Sequence, residues 1–172
     1  MSSGFKPVFG LSGPRDLMKL VEENYRELEA QPNERRLINC VVSAWHIQDW
    51  VRRALLGDSN NPEHGKRWSQ LSGGTPKTPS EDEFKDWLKA ECPASDILRQ
   101  VTNHVKHLRK SDSRKELRGD PLTFNHEPVW SIVDIDSGKV LDVYCRLQSS
   151  GTALSDVIAF WTGFFAAHTD WQ

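Results

Sequence analysis

The sequence predicts a mainly α single domain: a bundle of four to five helices, with one C-terminal β-hairpin set just before the last helix. Three observations carry this expectation. Apolar residues recur at three- and four-residue steps through four segments up to Leu108. Residues that start and stop helices separate those segments. After residue 128 the pattern changes to short runs rich in β-branched and aromatic side chains. The 172 residues suffice for one real core but not comfortably for two, so the domain is taken to span 1–172.

Ser12-Gly13-Pro14 opens the first helix, with Ser12 as the expected N-cap and Pro14 in the first turn. Leu17, Leu20, Val21 and Leu28 form its inner face up to Ala30. Asn33 caps a second helix from Glu34 to Leu56, which Gly57 stops. Leu37, Val41, Ala44, Val51 and Leu55 make one face of it, and Ile38, Val42 and Leu56 widen that face, so it belongs at the centre of the bundle. The short link makes these two helices antiparallel neighbours.

Asn60-Asn61-Pro62, His64-Gly65, Ser72-Gly73-Gly74 and Thr75-Pro76 read as a long surface loop over 58–79, anchored only by Trp68 and Leu71. Ser80 to Glu83 is a capping box that starts a short helix through Phe84, Trp87 and Leu88. Pro93 ends it and begins the most informative segment, Cys92 to Leu108. There Ile97, Val101, Val105 and Leu108 define a buried side. A charged connector over 109–127 follows. Val129 to Ile135 and Val140 to Leu147 flank Asp136-Ser137-Gly138-Lys139 as a hairpin. A final, strongly apolar helix begins near Thr152 or Ser155 and carries Val157, Ile158, Phe160, Trp161, Phe164 and Phe165.

Beside the buried side of the Cys92–Leu108 helix, Arg99, Asn103 and His107 follow at steps of four, each about 40° round from the last, and form a slanting polar stripe. Lys106 and Lys110 border it, and His104 lies closer to the core. A permanent cation, an amide and two imidazoles at a core edge suit phosphate binding and proton transfer near neutral pH.

Arg99-x4-His104 resembles the short Arg-to-His spacing of HEPN-domain proteins, all-helical modules many of which are metal-independent ribonucleases. That resemblance implies an Arg and a His acting together, usually across a dimer cleft. Carried over, Arg99 would stabilise phosphate charge, His104 would be the acid or base, and Asn103 would fix the scissile phosphate. The residue after the family's Arg is typically small and polar, which Gln100 only partly matches, and His107 shares the Arg99 side better than His104 does. The resemblance also implies a homodimer, RNA as substrate, and a toxin or defence role with a neutralising or effector protein partner. The pairing of Ala44-Trp45-His46-x2-Asp49-Trp50 with Arg99-x3-Asn103-x2-Lys106-His107 is similar, in addition, to a group of bacterial and phage proteins without an assigned activity.

A second use of the same residues stays open. Arg99 and His107 would then pair with acids of neighbouring helices, Asp49 for example, in a non-catalytic module that holds a protein or nucleic acid. His46 and Asp49, one turn apart, form a second constellation able to share a metal with His104 or His107. No Glu-x2-His or His-x3-His pair supports that, so no metal and no cofactor are expected, and Asp49 is read instead as orienting a His or Arg of the striped helix.

Other chemistries find little footing. There is no Gly-x-Ser-x-Gly elbow. Gly73-Gly74 lacks the ending of a phosphate loop, and Asp134-x-Asp136-x-Gly138 lacks the distal Glu of a calcium loop. Cys40, Cys92 and Cys145 are few and far apart, which argues for a reducing compartment. A net charge of -2 with interspersed signs leaves nucleic-acid binding to a local patch, Lys106 to Arg118 being the best candidate. No apolar run approaches a membrane span, so a cytoplasmic location without membrane attachment is expected. The seven tryptophans are read as core and helix contacts before ligand platforms.

Overall fold

A computed structural model describes residues 10–57, 59–106, 115–116, 122–124, 127–134, 140–145 and 151–171. Among these, six helices and four short strands follow one another as α1 (Pro14–Ala30), α2 (Glu34–Val51, prolonged by a π-helical turn Arg52–Leu56), α3 (Pro62–Ser72), α4 (Glu81–Glu91), α5 (Ala94–Lys106), β1 (Lys115–Glu116), β2 (Leu122–Phe124), β3 (Glu127–Asp134), β4 (Val140–Cys145) and α6 (Ala153–Ala167). The chain is a mainly helical bundle with an antiparallel hairpin before its last helix, as the periodicity predicts.

α2 is the axis of the bundle. Cys40, Val41, Ala44, Ile47, Val51, Leu55 and Leu56 are buried along it, and α1, α5 and α6 pack around it. The helix ends at Gly57, where no side chain fits: a Cβ there would lie 2.8 Å from the Arg52 carbonyl oxygen. At the start of α1 the N-cap is Gly13, not Ser12. Ser12 instead donates from both its backbone N–H and its hydroxyl to Asp16 in the first turn.

The expected loop over 58–79 contains α3. Its cap is the Asn61 side chain, which accepts from the Glu63 N–H at 3.1 Å; Pro62 follows at the first position, and Gly73 closes the helix in the left-handed conformation at φ 69°. Turn-forming residues and helix caps are the same residue types, and that overlap is why the segment reads as loop. Trp68 is buried on this helix. Gly65 passes so close to the 76–77 backbone that a Cβ would stand 3.1 Å from the Lys77 nitrogen. The capping box of α4 forms as expected: the Glu83 N–H donates to Ser80 Oγ at 3.2 Å, and the Ser80 N–H donates to Glu83 Oε2 at 2.9 Å.

The hairpin is β3 and β4, paired from Val129↔Cys145 to Val133↔Val140, while its turn lies outside the described residues. Register slips between Trp130 and Ser131, so Val143 is the extra residue of a bulge, and Val143, Tyr144 and Cys145 are all buried in succession. The charged connector 109–127 is more than a connector. β1 and β2 from it pair with the two ends of β3, antiparallel, at Lys115↔Asp134 and Leu122↔Val129. Strands of two and three residues carry no readable period, so only the open edge of β3 reveals them. β4 packs on α6 and α5, and Tyr25 of α1 meets Tyr144 edge to face with centroids 6.3 Å apart.

Candidate functional site

α5 presents the polar stripe, but its buried side is rotated from the one expected. Ser95, Leu98, Val101 and Thr102 are buried, with Ile97 only partly so. Val105 is on α5 with its side chain outside the described part, and Leu108 lies outside the described residues. Arg99 and Asn103 are both exposed, one turn apart. His104 and Lys106 belong to the last turn of α5, their side chains outside the described part; His107 and Lys110 lie outside the described residues.

Arg99 does not reach Asp49. It is held on its own helix by Asp96, with Nε donating to Oδ1 at 2.8 Å and a second nitrogen 2.7 Å from the same oxygen. Gln100 donates to the other carboxylate oxygen at 2.8 Å. Partial burial pushes the Asp96 carboxyl up, but the bonds from Arg99 and Gln100 and the Arg99 charge outweigh it and leave the group below its ordinary value. Asp96 is thus a fixed anion that aims the guanidinium, an arrangement set by the three- and four-residue spacing alone.

His46 and Asp49 likewise satisfy each other, His46 Nδ1 standing 3.3 Å from Asp49 Oδ2 across one turn of α2. The bond from His46 lowers the Asp49 carboxyl; burial opposes this, and the charges of His46, Arg53 and Arg52 add to it. Arg52 in turn reaches Glu81 at the start of α4, 3.7 Å away. The expected meeting of Asp49 with the striped helix therefore does not form among the described residues. α2 does pack on α5, but the α2 residues that confront Arg99 are Trp45 and Gln48, on a neighbouring part of the helix surface.

Between α2, α4 and α5 these side chains enclose a pocket of about 220 Å³. Trp45 and Leu88 give it apolar walls, Gln48 and Ser95 lie at its base, and Lys85, Asp86, Lys89, Asp96 and Arg99 form its rim. Lys85 is paired with Glu81 at 2.6 Å, whereas Lys89 and Asp86 make no ion pair among the described residues. Residue patterns pick out Arg99 but not its neighbours. One signal was present: Gln48 is an amide amid Ala44, Ile47 and Val51 on the buried side of the most apolar helix.

Among the described residues no group of three or more His, Cys, Asp and Glu side chains is placed to hold a metal ion, and no helix is long and apolar enough to cross a membrane. Cys40, Cys92 and Cys145 are free and buried; burial pushes the Cys40 thiol up to about 12. Comparison of the chain with models of known protein families, with characterised proteins and with solved structures finds no match.

Proposed function

We propose that the chain is a HEPN-like, metal-independent endoribonuclease, or a toxin- or defence-type relative of one, that engages single-stranded RNA along α5 as a homodimer. The observation that supports the reading is the exposed Arg99–Asn103 pair beside a pocket with an aromatic wall and a rim of mixed charge that includes Lys85, Lys89 and Arg99. Stacking platforms next to basic side chains are how single strands are held without sequence preference. In this reading an imidazole of His104 or His107 takes the proton from a ribose 2′-hydroxyl, whose oxygen forms a bond to the adjacent phosphorus. The bond from phosphorus to the 5′-oxygen breaks, and that oxygen takes a proton from the second acid group. Products are a 2′,3′-cyclic phosphate and a 5′-hydroxyl end, and Arg99 offsets the charge gathered on the phosphorane. Purified protein should cleave single-stranded RNA in EDTA with a bell-shaped pH profile near neutrality, and Arg99→Ala and His107→Ala should each abolish cleavage with the fold intact. Cleavage surviving in both variants would sink the enzyme.

The Asp96–Arg99 pair favours a second reading, since a guanidinium already held by a carboxylate has less charge left for a transition state. A module that holds RNA without cutting it would show binding weakened by Arg99→Ala and no EDTA-resistant cleavage. Light scattering separates the dimer from the monomer in either case.

A further inference from the structure

The α2–α4–α5 pocket is built around polar groups that the protein itself does not use. Gln48 is only 4 % exposed and Ser95 only 6 %, and both line the pocket, yet neither the Gln48 amide nor the Ser95 hydroxyl makes a hydrogen bond among the described residues. Neither is sealed away: among the described residues Thr102 has an enclosed hydroxyl without a partner and Gln48 and Ser95 have no such atom, so the Gln48 and Ser95 groups open onto the pocket. Polar side chains buried to this degree are normally satisfied, because an unmade bond costs about 1–3 kcal/mol. An amide and a hydroxyl left open at the base of a concave site are therefore placed for a ligand.

The chemistry of that ligand follows from what surrounds them. A primary amide offers donors and an acceptor side by side, and a hydroxyl offers both, which complements a group carrying donor and acceptor on one edge. Trp45 and Leu88 supply apolar walls suited to a flat ring. Lys89, which makes no ion pair among the described residues, suits an anion next to that ring; Arg99 stands beside it, sharing its charge with Asp96, and Asp86 lies on the same rim. The N–H groups of Ser95 and Asp96 are already given to the Cys92 and Pro93 carbonyl oxygens, so an anion here would rest on the side chains rather than on the start of α5. A pocket of about 220 Å³ is below the range of about 300–1,000 Å³ usual for drug-sized ligands and has room for one ring system.

We propose that this pocket receives a single unstacked nucleobase, read by Gln48 and Ser95 and bounded by Trp45, with its phosphate held by Lys89 and Arg99. The inference rests on the reading that α5 engages RNA and names the subsite that holds it, whether or not the strand is then cut.

The test uses the four nucleoside 5′-monophosphates, with ribose 5-phosphate as the base-free probe, titrated into the full chain by calorimetry. At least one nucleotide should bind saturably with Kd at or below about 1 mM, and ribose 5-phosphate at least about tenfold more weakly. Gln48→Met keeps the side-chain length and should weaken that nucleotide about tenfold while leaving the melting curve and the ribose 5-phosphate affinity unchanged. Ser95→Ala, near the exposed start of a helix, serves if Gln48→Met does not fold, and should weaken the nucleotide severalfold. No binding of any nucleotide, or equal binding of ribose 5-phosphate, overturns the nucleobase pocket, as does affinity unchanged in the folded variants. If single-stranded RNA still binds in that event, the α5 reading survives its subsite. Nucleotide binding without any RNA binding has the opposite meaning: it supports the pocket and overturns the RNA reading.

Discussion

The bundle treats polar groups differently at its two sides. Where α3, α4 and α6 meet, Trp68, Phe84, Trp87, Phe160 and Phe164 touch in sequence. Arg15 reaches from α1 to donate to the Phe165 and His168 carbonyl oxygens at the end of α6 and lies over the Phe165 ring. His168 stacks on Trp171 with centroids 4.0 Å apart; burial, with the Arg15 charge adding to it, lowers its pKa against the opposing pull of Asp170. Where α2, α4 and α5 meet, the buried Gln48 and Ser95 side chains have no such partners among the described residues, and neither does Thr102 two turns along α5 from Ser95. Polar capacity is consumed by structure at the aromatic side and left over at the pocket side. The proposed nucleobase site rests on that difference.

Trp161→Ala breaks the aromatic side most directly. Trp161 is 1 % exposed and touches Phe160, Phe164 and Phe165, so its loss should cost about 3–5 kcal/mol, a large part of a typical domain's stability. A urea midpoint unchanged from the parent would show that this side does not carry the fold. Arg15→Met comes next. It keeps the apolar stem but removes charged donors from two helix-terminal carbonyls, and should cost about 1.5–3 kcal/mol in the same titration. A loss below about 0.5 kcal/mol would place Arg15 among ordinary surface cations.

The order and type of the main helices are legible in the sequence because periodicity and caps agree there: Asn33 caps α2, Ser80 and Glu83 box the start of α4, and Thr152 begins α6. α3 is hidden because Asn61, Pro62 and Gly73 serve turns and helix ends alike, and its apolar content is little more than Trp68 and Leu71. β1 and β2 are hidden for a different reason, since they exist only as partners of β3. At the site, residue type identifies Arg99 and Asn103 as exposed polar groups but not the partner of Arg99. Asp96 lies three residues away on the same helix, whereas Asp49 requires a particular rotation of α2 against α5, and a difference of one residue along α2 brings Gln48 there instead. Rotations of that size depend on side-chain packing, which composition does not specify.

A third region, the α1–α2 contact, sharpens the contrast through pH. The Cys40 thiol is fully buried and its Sγ lies 3.9 Å from the Val21 carbonyl oxygen; burial pushes its pKa from 9.0 to about 12. Above pH 9 the unfolded chain gives up this proton while the folded chain keeps it, so the unfolded state binds fewer protons and stability falls as pH rises. One such group gives a slope of up to about 1.4 kcal/mol per pH unit. Burial, with Glu29 and Cys40 adding, also pushes Tyr25 to about 12 from 10.0, so the interval from pH 9 to 10 belongs mainly to the thiols, Cys40 and also Cys92, which burial likewise pushes up. Cys40→Ala should start from a lower stability at pH 7 and lose a large part of the slope in that interval, the rest staying with Cys92. Denaturation curves at pH 8, 9 and 10 read it, and an unaltered slope in the variant would assign the alkaline loss elsewhere.

The smallest effect tests the pocket side itself. Thr102 is fully buried on α5 and its Oγ1 has no hydrogen-bond partner among the described residues, although a threonine in a helix can bond back to the preceding turn. Thr102→Val exchanges that hydroxyl for a methyl of nearly the same shape and should stabilise the chain by about 1 kcal/mol, a rise of a few degrees in melting temperature. Gln48→Met provides the comparison, because the Gln48 amide opens onto the pocket and is not sealed in the core; its replacement should change stability by less than about 0.5 kcal/mol. The pair of melting curves therefore distinguishes an orphan sealed in the core from a group kept open for a ligand. If Thr102→Val destabilises by 1 kcal/mol or more, the hydroxyl has a partner, and the imbalance between the two sides shrinks to Gln48 and Ser95 alone.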